Sequence, residues 1–344
     1  MKIHFDTLKG LSQHVFLRLG VPSGDSETVA DVIATADLYG FKTHGVSRLR
    51  YYINRIKDRV QHTCTPFRVL SSKLTTAVVD GGNGMGQVIA SRSMSMAIEK
   101  ALTYGLGCVV VKNSSHFGIC SYYSLMAAKA NMIGVVFTNT RPAVAPFGGS
   151  LPLLGTNPYS IAIPSTTHPF VIDCSTSIVQ RGDVEVWDRE KQPVPEGVSI
   201  PFVSDASVLL GMLENGEAAL SIFGEHKGYG LSVAIEMLCS ALTNGDAMRE
   251  IRGHYEGLKN KPYNLGHLFL VIDPSHFIDI KTFKRKVSSI RSRLKSSGES
   301  VLVAGDLELE GVEERKNAIE INDHVYSELQ NIAAEFDFSL EIES

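Results

Sequence analysis

The chain predicts a mixed α/β fold, α+β-like in its ordering, of about two domains. Three observations point there. Helical spacing dominates both ends of the chain, short β-branched runs alternate with helical segments between them, and no Gly-x-Gly-x-x-Gly fingerprint occurs. A length of 344 residues with 44% hydrophobic composition can bury a sizeable core, and it exceeds the usual size of one domain.

The elements follow in order. Val29, Val32, Ile33 and Ala36 recur at helical spacing behind a capping residue at Asp25 or Ser26, and Gly40 stops the run. A second helix begins near Val46, with Val46, Leu49, Ile53 and Ile56 as its apolar face and with Arg48 and Tyr52 on another face. From Pro66 the pattern changes to β-branched runs at 76–79, 108–111, 133–137 and 268–272. The segment Gly82-Asn-Gly84-Met-Gly86 reads as the turn between the first of these and the next helix. Gly224 to Gly230 opens a helix carrying Leu231, Ala234, Ile235, Leu238 and Leu242, which Asn244-Gly245 stops. Two late helices present Phe283, Val287, Ile290 and Leu294, then Val325, Leu329, Ile332 and Phe336, with a polar linker at 296–299 between them.

Composition excludes several classes. A net charge of −4, with both signs interspersed, makes no broad positive field for nucleic acid or an anionic membrane. No apolar run approaches the roughly 20 residues that cross a bilayer, and Lys2, Asp6, Lys9 and Arg18 interrupt the N-terminus. Cys64, Cys108, Cys120, Cys174 and Cys239 are odd in number and scattered, as reduced thiols of a cytoplasmic protein would be. No His-Glu-x-x-His or Cys/His cluster has metal-ligand spacing, and no Gly-Lys-Ser/Thr phosphate loop occurs.

Several segments carry residue types suited to chemistry. His44 and Arg48 stand four apart after the turn at Gly40, so an imidazole and a carboxylate-binding fork would address one small anion if both lie on one helical face. An isolated pair of this kind is more often a surface histidine beside a solvated arginine. In Asn113-Ser-Ser-His116-Phe-Gly118 the histidine sits between a strand and a helix start. Helix N–H groups there disfavour the imidazolium, which suits a neutral base or donor as well as a buried capping histidine. Asp173-Cys-Ser175-Thr176-Ser177 ends a strand in a carboxylate and three hydroxyls, able to bond ribose or phosphate oxygens or their own turn. Gly155-Thr156-Asn157-Pro158 is equally a turn or a ligand contact. Gly224-Glu-His226-Lys227-Gly228-Tyr-Gly230 offers a small-residue helix start with a lysine, fit for an anionic phosphate or for close helix packing.

Taken in this order, and with Pro146-Phe-Gly-Gly149, these segments resemble the malate/L-lactate dehydrogenase family from about residue 8 to residue 329. That nicotinamide-dependent family also holds ureidoglycolate, sulfolactate and diketogulonate enzymes and cyclic imine reductases. The resemblance implies a helical domain from both chain ends, 1–65 with 296–344, around a central nicotinamide-binding domain, 66–295, whose non-Rossmann sheet is largely antiparallel. It implies a homodimer that uses NAD or NADP to interconvert a malate- or lactate-like 2-hydroxy acid and its 2-oxo acid. Reduction of a cyclic imine, ureidoglycolate or a diketo sugar acid is the enzymatic alternative, and an inactive dinucleotide-binding sensor is the alternative of another class.

By the same resemblance, His44 or His116 transfers the proton and Arg48 holds the substrate carboxylate, with Tyr52, Thr156 and Asn157 also on the substrate. Asp173, Ser175, Thr176, Ser177, His226, Lys227, Gly228, Gly305 and Asp306 would hold the cofactor. The chain departs from the family in three places: Arg181-Gly182-Asp183 stands where Arg-Gly-Lys is usual, the stretch 197–205 is short, and Ala304-Gly305-Asp306 replaces the common Pro-Gly-Glu. These departures bear on substrate identity.

Overall fold

A seven-stranded sheet crosses the middle of the molecule. The computed structural model describes residues 1–251 and 261–340. Within them the strands are β1 Lys2–Ile3, β2 Arg68–Ser72, β3 Thr76–Asp80, β4 Leu106–Ser114, β5 Ile133–Thr138, β6 Tyr159–Ile163, β7 Phe170–Cys174, β8 Ser199–Ile200, β9 Ala219–Leu220, β10 Leu265–Ile272 and β11 Ile319–Glu320. The longer helices are α1 Phe5–Arg18, α2 Ser23–Leu38, α3 Leu49–Lys57, α4 Gly86–Tyr104, α5 Cys120–Lys129, α6 Arg181–Glu190, α7 Ala206–Asn215, α8 Glu225–Ser240 and α9 Ile280–Lys295, followed near the C-terminus by Asp323–Glu335.

The main sheet runs β2-β3-β4-β10-β5-β6-β7. β3 and β4 pair in parallel through the crossover helix α4, and the other neighbours pair antiparallel. The largely antiparallel, non-Rossmann sheet is therefore present. β4 and β10 lie at its centre with both faces covered, which is why they read as nearly continuous apolar runs. α4 and α5 cover one face, packing Ile89, Met94 and Tyr123 on Val79, Val109, Val136 and Phe269. On the other face α8 sets Ile235 and Cys239 against Val110 and Leu268.

A second core joins the two chain ends. α1, α2 and α3 bury Leu8, Val15, Ile33 and Ile53 together with Leu329, Ile332 and Phe336 from the C-terminal helix. The short pair β1 and β11 fixes this junction in register, Lys2 opposite Glu320 and Ile3 opposite Ile319. A third core, around Val184, Leu209, Leu213 and Leu220, is built by α6, α7 and the pair β8–β9.

Three local expectations change. α2 begins at Ser23 rather than beyond a cap at Asp25, and Asp25 instead sits in the first turn, 2.6 Å from Arg92 on α4. Tyr52 does not leave the apolar stripe of α3: its ring is fully buried beside Phe16, because an aromatic body can enter a core while its hydroxyl reaches a polar partner. On α9, Ile290 and Leu294 stay about half exposed at 51% and 50%, while Phe283 and Val287 of the same stripe are partly covered.

Candidate active site

The segments around a cavity of about 290 Å³ include residues 41–48, the loop after β4, residues 138–143 at and beyond the end of β5, the end of β7, and α6. The first is shaped by short-range chemistry. Gly40, at φ 87°, turns the chain out of α2, and Phe41 N–H returns to the Ala36 carbonyl at 2.8 Å. The buried Asp37 carboxylate then accepts from Val46 N–H at 2.7 Å. A Cβ on Gly45 would fall 2.1 Å from that carboxylate, so only glycine lets the turn close on it. Residues 46–48 form a 3-10 turn leading into α3. His44 and Arg48 do share one cavity, yet a tight turn and a 3-10 segment bring them together rather than a helical face.

His116 lies in the loop between β4 and α5, with Gly118 at φ 84° behind it. Its ring stacks on His44, centroids 5.6 Å apart and planes inclined by 21°. Tyr52 Oη stands 2.6 Å from His116 Nδ1, and Gly118 N–H donates to the same atom at 3.4 Å. An N–H can only donate, so the network assigns the lone pair to Nδ1 and the proton to Nε2. His44 Nδ1 faces the Thr43 hydroxyl at 2.9 Å, a group able to donate or accept. Burial pushes the pKa of His44 down to about 3, with Arg48 adding to the effect. Burial also holds His116 well below the ordinary imidazole range, helped by His44 and Arg48. Both rings are neutral near pH 7, able to accept a proton or present a neutral N–H.

Arg48 is held on two sides. Its Nε donates to the Thr43 carbonyl at 2.8 Å, and its Nη2 pairs with Glu185 Oε2 at 3.3 Å. The other oxygen of Glu185 lies 3.2 Å from Arg181 Nε. This places the start of α6 directly against the His44 turn. A Cβ on Gly182 would meet Thr43 Cβ at 2.7 Å and Arg48 Nη2 at 3.3 Å, so glycine is what permits the approach. Asp183, the departure from the usual lysine, closes a capping box: its carboxylate accepts from Gln180 N–H at 2.7 Å. A carboxylate at that position also favours the positive end of the helix.

The remaining expected residues fall into separate places. Thr156, Asp173 and Ser175 line the cavity with His44, Arg48 and His116. Asp173 also accepts from Ser121 N–H at 2.6 Å, and burial pushes its pKa up to about 6. Asn157 is fully buried, accepting from Thr140 N–H and donating to Ser232 and to Glu236. Thr176 bonds the Thr156 carbonyl and the Ser232 hydroxyl, and Ser177 bonds the Val179 carbonyl. His226 and Lys227 stand exposed at the start of α8, His226 with its ring 6.1 Å from Phe147, while Gly228 packs under the Phe223 carbonyl. Asp306 is buried in an ion cluster with Arg291 and Lys295, beside Gly305 at φ 97°.

The cavity contains residues that sequence reading left unmarked: Phe41, Tyr51, Thr140, Arg141, Arg181, Glu185 and Glu214. Only Arg181 had a signal, its place in Arg181-Gly182-Asp183. Among the described residues, none from 197–205 lines the cavity.

A non-Rossmann sheet beside one cavity lined by two neutral histidines and an arginine fits a class, the nicotinamide-dependent dehydrogenases built without a Rossmann unit. The chain belongs to the malate/L-lactate dehydrogenase family, whose model matches residues 3–330. Malate dehydrogenase of Pyrococcus horikoshii is 38% identical over 97% of this chain and 95% of its own length. Malate/(S)-sulfolactate dehydrogenase of Methanothermus fervidus is 38% identical over 94% of each chain. The crystal structure of malate dehydrogenase from Entamoeba histolytica superposes with a TM-score of 0.95 at 33% identity, covering 99% of both chains.

Proposed function

We propose that this protein is a cytoplasmic NAD(P)-dependent dehydrogenase interconverting a malate-like 2-hydroxy acid and its 2-oxo acid. One observation carries the reading: His44, His116, Arg48, Arg141 and Arg181 line a single cavity, which sets neutral proton-transfer groups among anion-binding ones. The malate and malate/sulfolactate dehydrogenases among its relatives agree with an anionic hydroxy acid.

Arg48 holds the substrate carboxylate and so fixes the carbon from which hydride departs. His116 presents its Nε2–H to the C2 oxygen, with the Gly118 N–H keeping the ring in that tautomer and the Tyr52 hydroxyl donating to the same Nδ1. His44, whose partner Thr43 tolerates either tautomer, takes the hydroxyl proton. The stacked pair carries at most one positive charge at a time, because a second beside the first and beside Arg48 is strongly disfavoured. NAD or NADP, when bound, supplies the hydride acceptor. The start of α8 fits such a cofactor: Gly224 and Glu225 take left-handed backbone at φ 58° and 53°, no side chain caps the helix, and His226 and Lys227 flank its first-turn N–H groups. The exposed apolar side chains Met237, Leu238 and Leu242 on and beyond α8 support a homodimer.

The test is turnover. The purified protein, given NADH or NADPH with oxaloacetate, pyruvate, sulfopyruvate, a diketo sugar acid and a cyclic imine in turn, should oxidise the cofactor with oxaloacetate or sulfopyruvate. Replacing His44 by asparagine should lower kcat by roughly 10²–10⁴-fold, and His116→Asn, which keeps an N–H donor, should lower it less. No oxidation with any anionic 2-oxo acid by folded protein would overturn the function. Full activity in His44→Asn would reassign the proton to His116.

A further inference from the structure

The guanidinium of Arg48 has two edges by which it can clamp a carboxylate at two points, Nε with Nη2 and Nη1 with Nη2. Nε already donates to the Thr43 carbonyl at 2.8 Å. Nη2, common to both edges, already pairs with Glu185 at 3.3 Å. Nη2 carries two N–H groups, so the Nη1–Nη2 edge can still receive a substrate carboxylate, but it would then lie beside the carboxylate of Glu185, and repulsion between the two favours Glu185 moving away. The carboxylate so displaced is not stranded, since its other oxygen lies 3.2 Å from Arg181. The two partners are alike in exposure, with 23% and 27% of their side-chain surfaces reachable by solvent, so the ion pair borders the cavity and is open to an incoming anion.

We infer that Glu185 is an internal competitor for the substrate carboxylate, holding Arg48 in the free enzyme and exchanging places with substrate. This rests on Arg48 being the substrate's anchor, as proposed above. Three consequences follow from the geometry. Glu185 raises KM, because part of the substrate's interaction with Arg48 goes to displacing a carboxylate already there. It leaves kcat nearly unchanged, because the exchange is complete before hydride moves. It opposes a second anionic group more than a single one, because a monoanion meets the Glu185 carboxylate at Arg48 alone while a dianion reaching Arg181 meets it at both arginines. The exchange takes place on α6, which carries Glu185 and, two residues on, Trp187, the only tryptophan in the chain. Trp187 packs partly buried in the core that α6 shares with α7, so its fluorescence is a built-in reporter of the swap.

The experiment measures binding of oxalate, a dianion, and oxamate, a monoanion, by calorimetry and by Trp187 fluorescence, to the wild type and to E185Q. Glutamine keeps the length of the side chain and removes the charge. E185Q should bind oxalate roughly tenfold more tightly and oxamate only a few-fold more tightly, with a smaller fluorescence change than the wild type. E185D, which keeps the charge, should bind both anions less tightly than E185Q does. With a substrate that turns over, the same gain should appear in KM, with kcat within about twofold of the wild type. Weaker or unchanged anion binding in E185Q would overturn the proposal, the first outcome showing that Glu185 merely props Arg48 in place. Absence of binding to either form would overturn it too. Because anion binding needs no turnover, the result stands apart from the turnover assay that decides the proposed reaction.

Discussion

Asp37 shows how much one side chain does for the site. Its carboxylate is buried against Val46 N–H and organises the turn that carries His44 and Arg48, and burial pushes its pKa from 3.8 to about 7. A raised folded-state pKa means the native protein binds the extra proton: the associated stability is complete below about pH 4 and is lost as pH rises through about 7. Asparagine keeps an oxygen for Val46 N–H and cannot ionise. Asp37→Asn should therefore melt at a higher temperature than the wild type at about pH 8, with the gap closing toward about pH 5. A gap of the same size at both pH values would show that Asp37 does not ionise in this range. This residue and its neighbours were partly legible in sequence. Gly40, His44 and Arg48 are joined by contacts within a few residues, so their spacing suggested a meeting, but by a shared helical face rather than by the tight turn and 3-10 segment that bring them together. Tyr52 was less legible, because helical spacing says which face a residue occupies and not that an aromatic ring will turn into the core and lend its hydroxyl to His116.

Among the elements, α6 was the least readable, and it contributes two of the unmarked cavity residues, Arg181 and Glu185. Its arrival at the cavity depends on Gly182 fitting against Thr43, a contact between residues 139 positions apart (182 minus 43) that no local pattern announces. Arg181 and Glu185 thus become cavity walls through tertiary packing. The polar runs at Thr156–Asn157 and Ser175–Ser177 show the converse difficulty. Hydroxyls and amides suited to a ligand are equally suited to one another, and here Asn157 and Thr176 join the loops to Ser232 on α8. For α6 itself, the capping box formed by Gln180 and Asp183 fixes the first turn. Asp183→Ala should destabilise that end by about 1 kcal/mol, read as faster amide hydrogen exchange confined to residues 181–190. Unchanged exchange there would mean that packing on α7 alone holds the helix.

The whole molecule is held in one piece by contacts between distant parts of the chain. Arg291 of α9 is buried against Asp306, which Lys295 also meets at 2.8 Å, so a late helix is fastened to the segment leading back to the N-terminal helices. Leaving a buried charge wholly uncompensated costs roughly 3–5 kcal/mol, and removing Arg291 costs less than that because Lys295 stays with Asp306. Arg291→Ala should accordingly lower the melting temperature by several degrees while NAD(P)H affinity, measured well below the transition, stays as in the wild type. Loss of cofactor affinity in the folded variant would instead assign residues 305–306 to the nucleotide. The overall class of the fold was readable because strand and helix periods are local, whereas the strand order was not, since β10 pairs with two partners more than a hundred residues earlier.

That pairing has a consequence for how the chain is made. During synthesis β4 and β5 emerge long before β10, and each exposes an unpaired apolar edge until the strand between them is translated. The nascent chain carries a divided sheet with two sticky borders. A stop codon just upstream of residue 265 would free a product that keeps most of the active-site residues and cannot close its sheet. Such a fragment should aggregate or occupy chaperones rather than survive as a weakened enzyme.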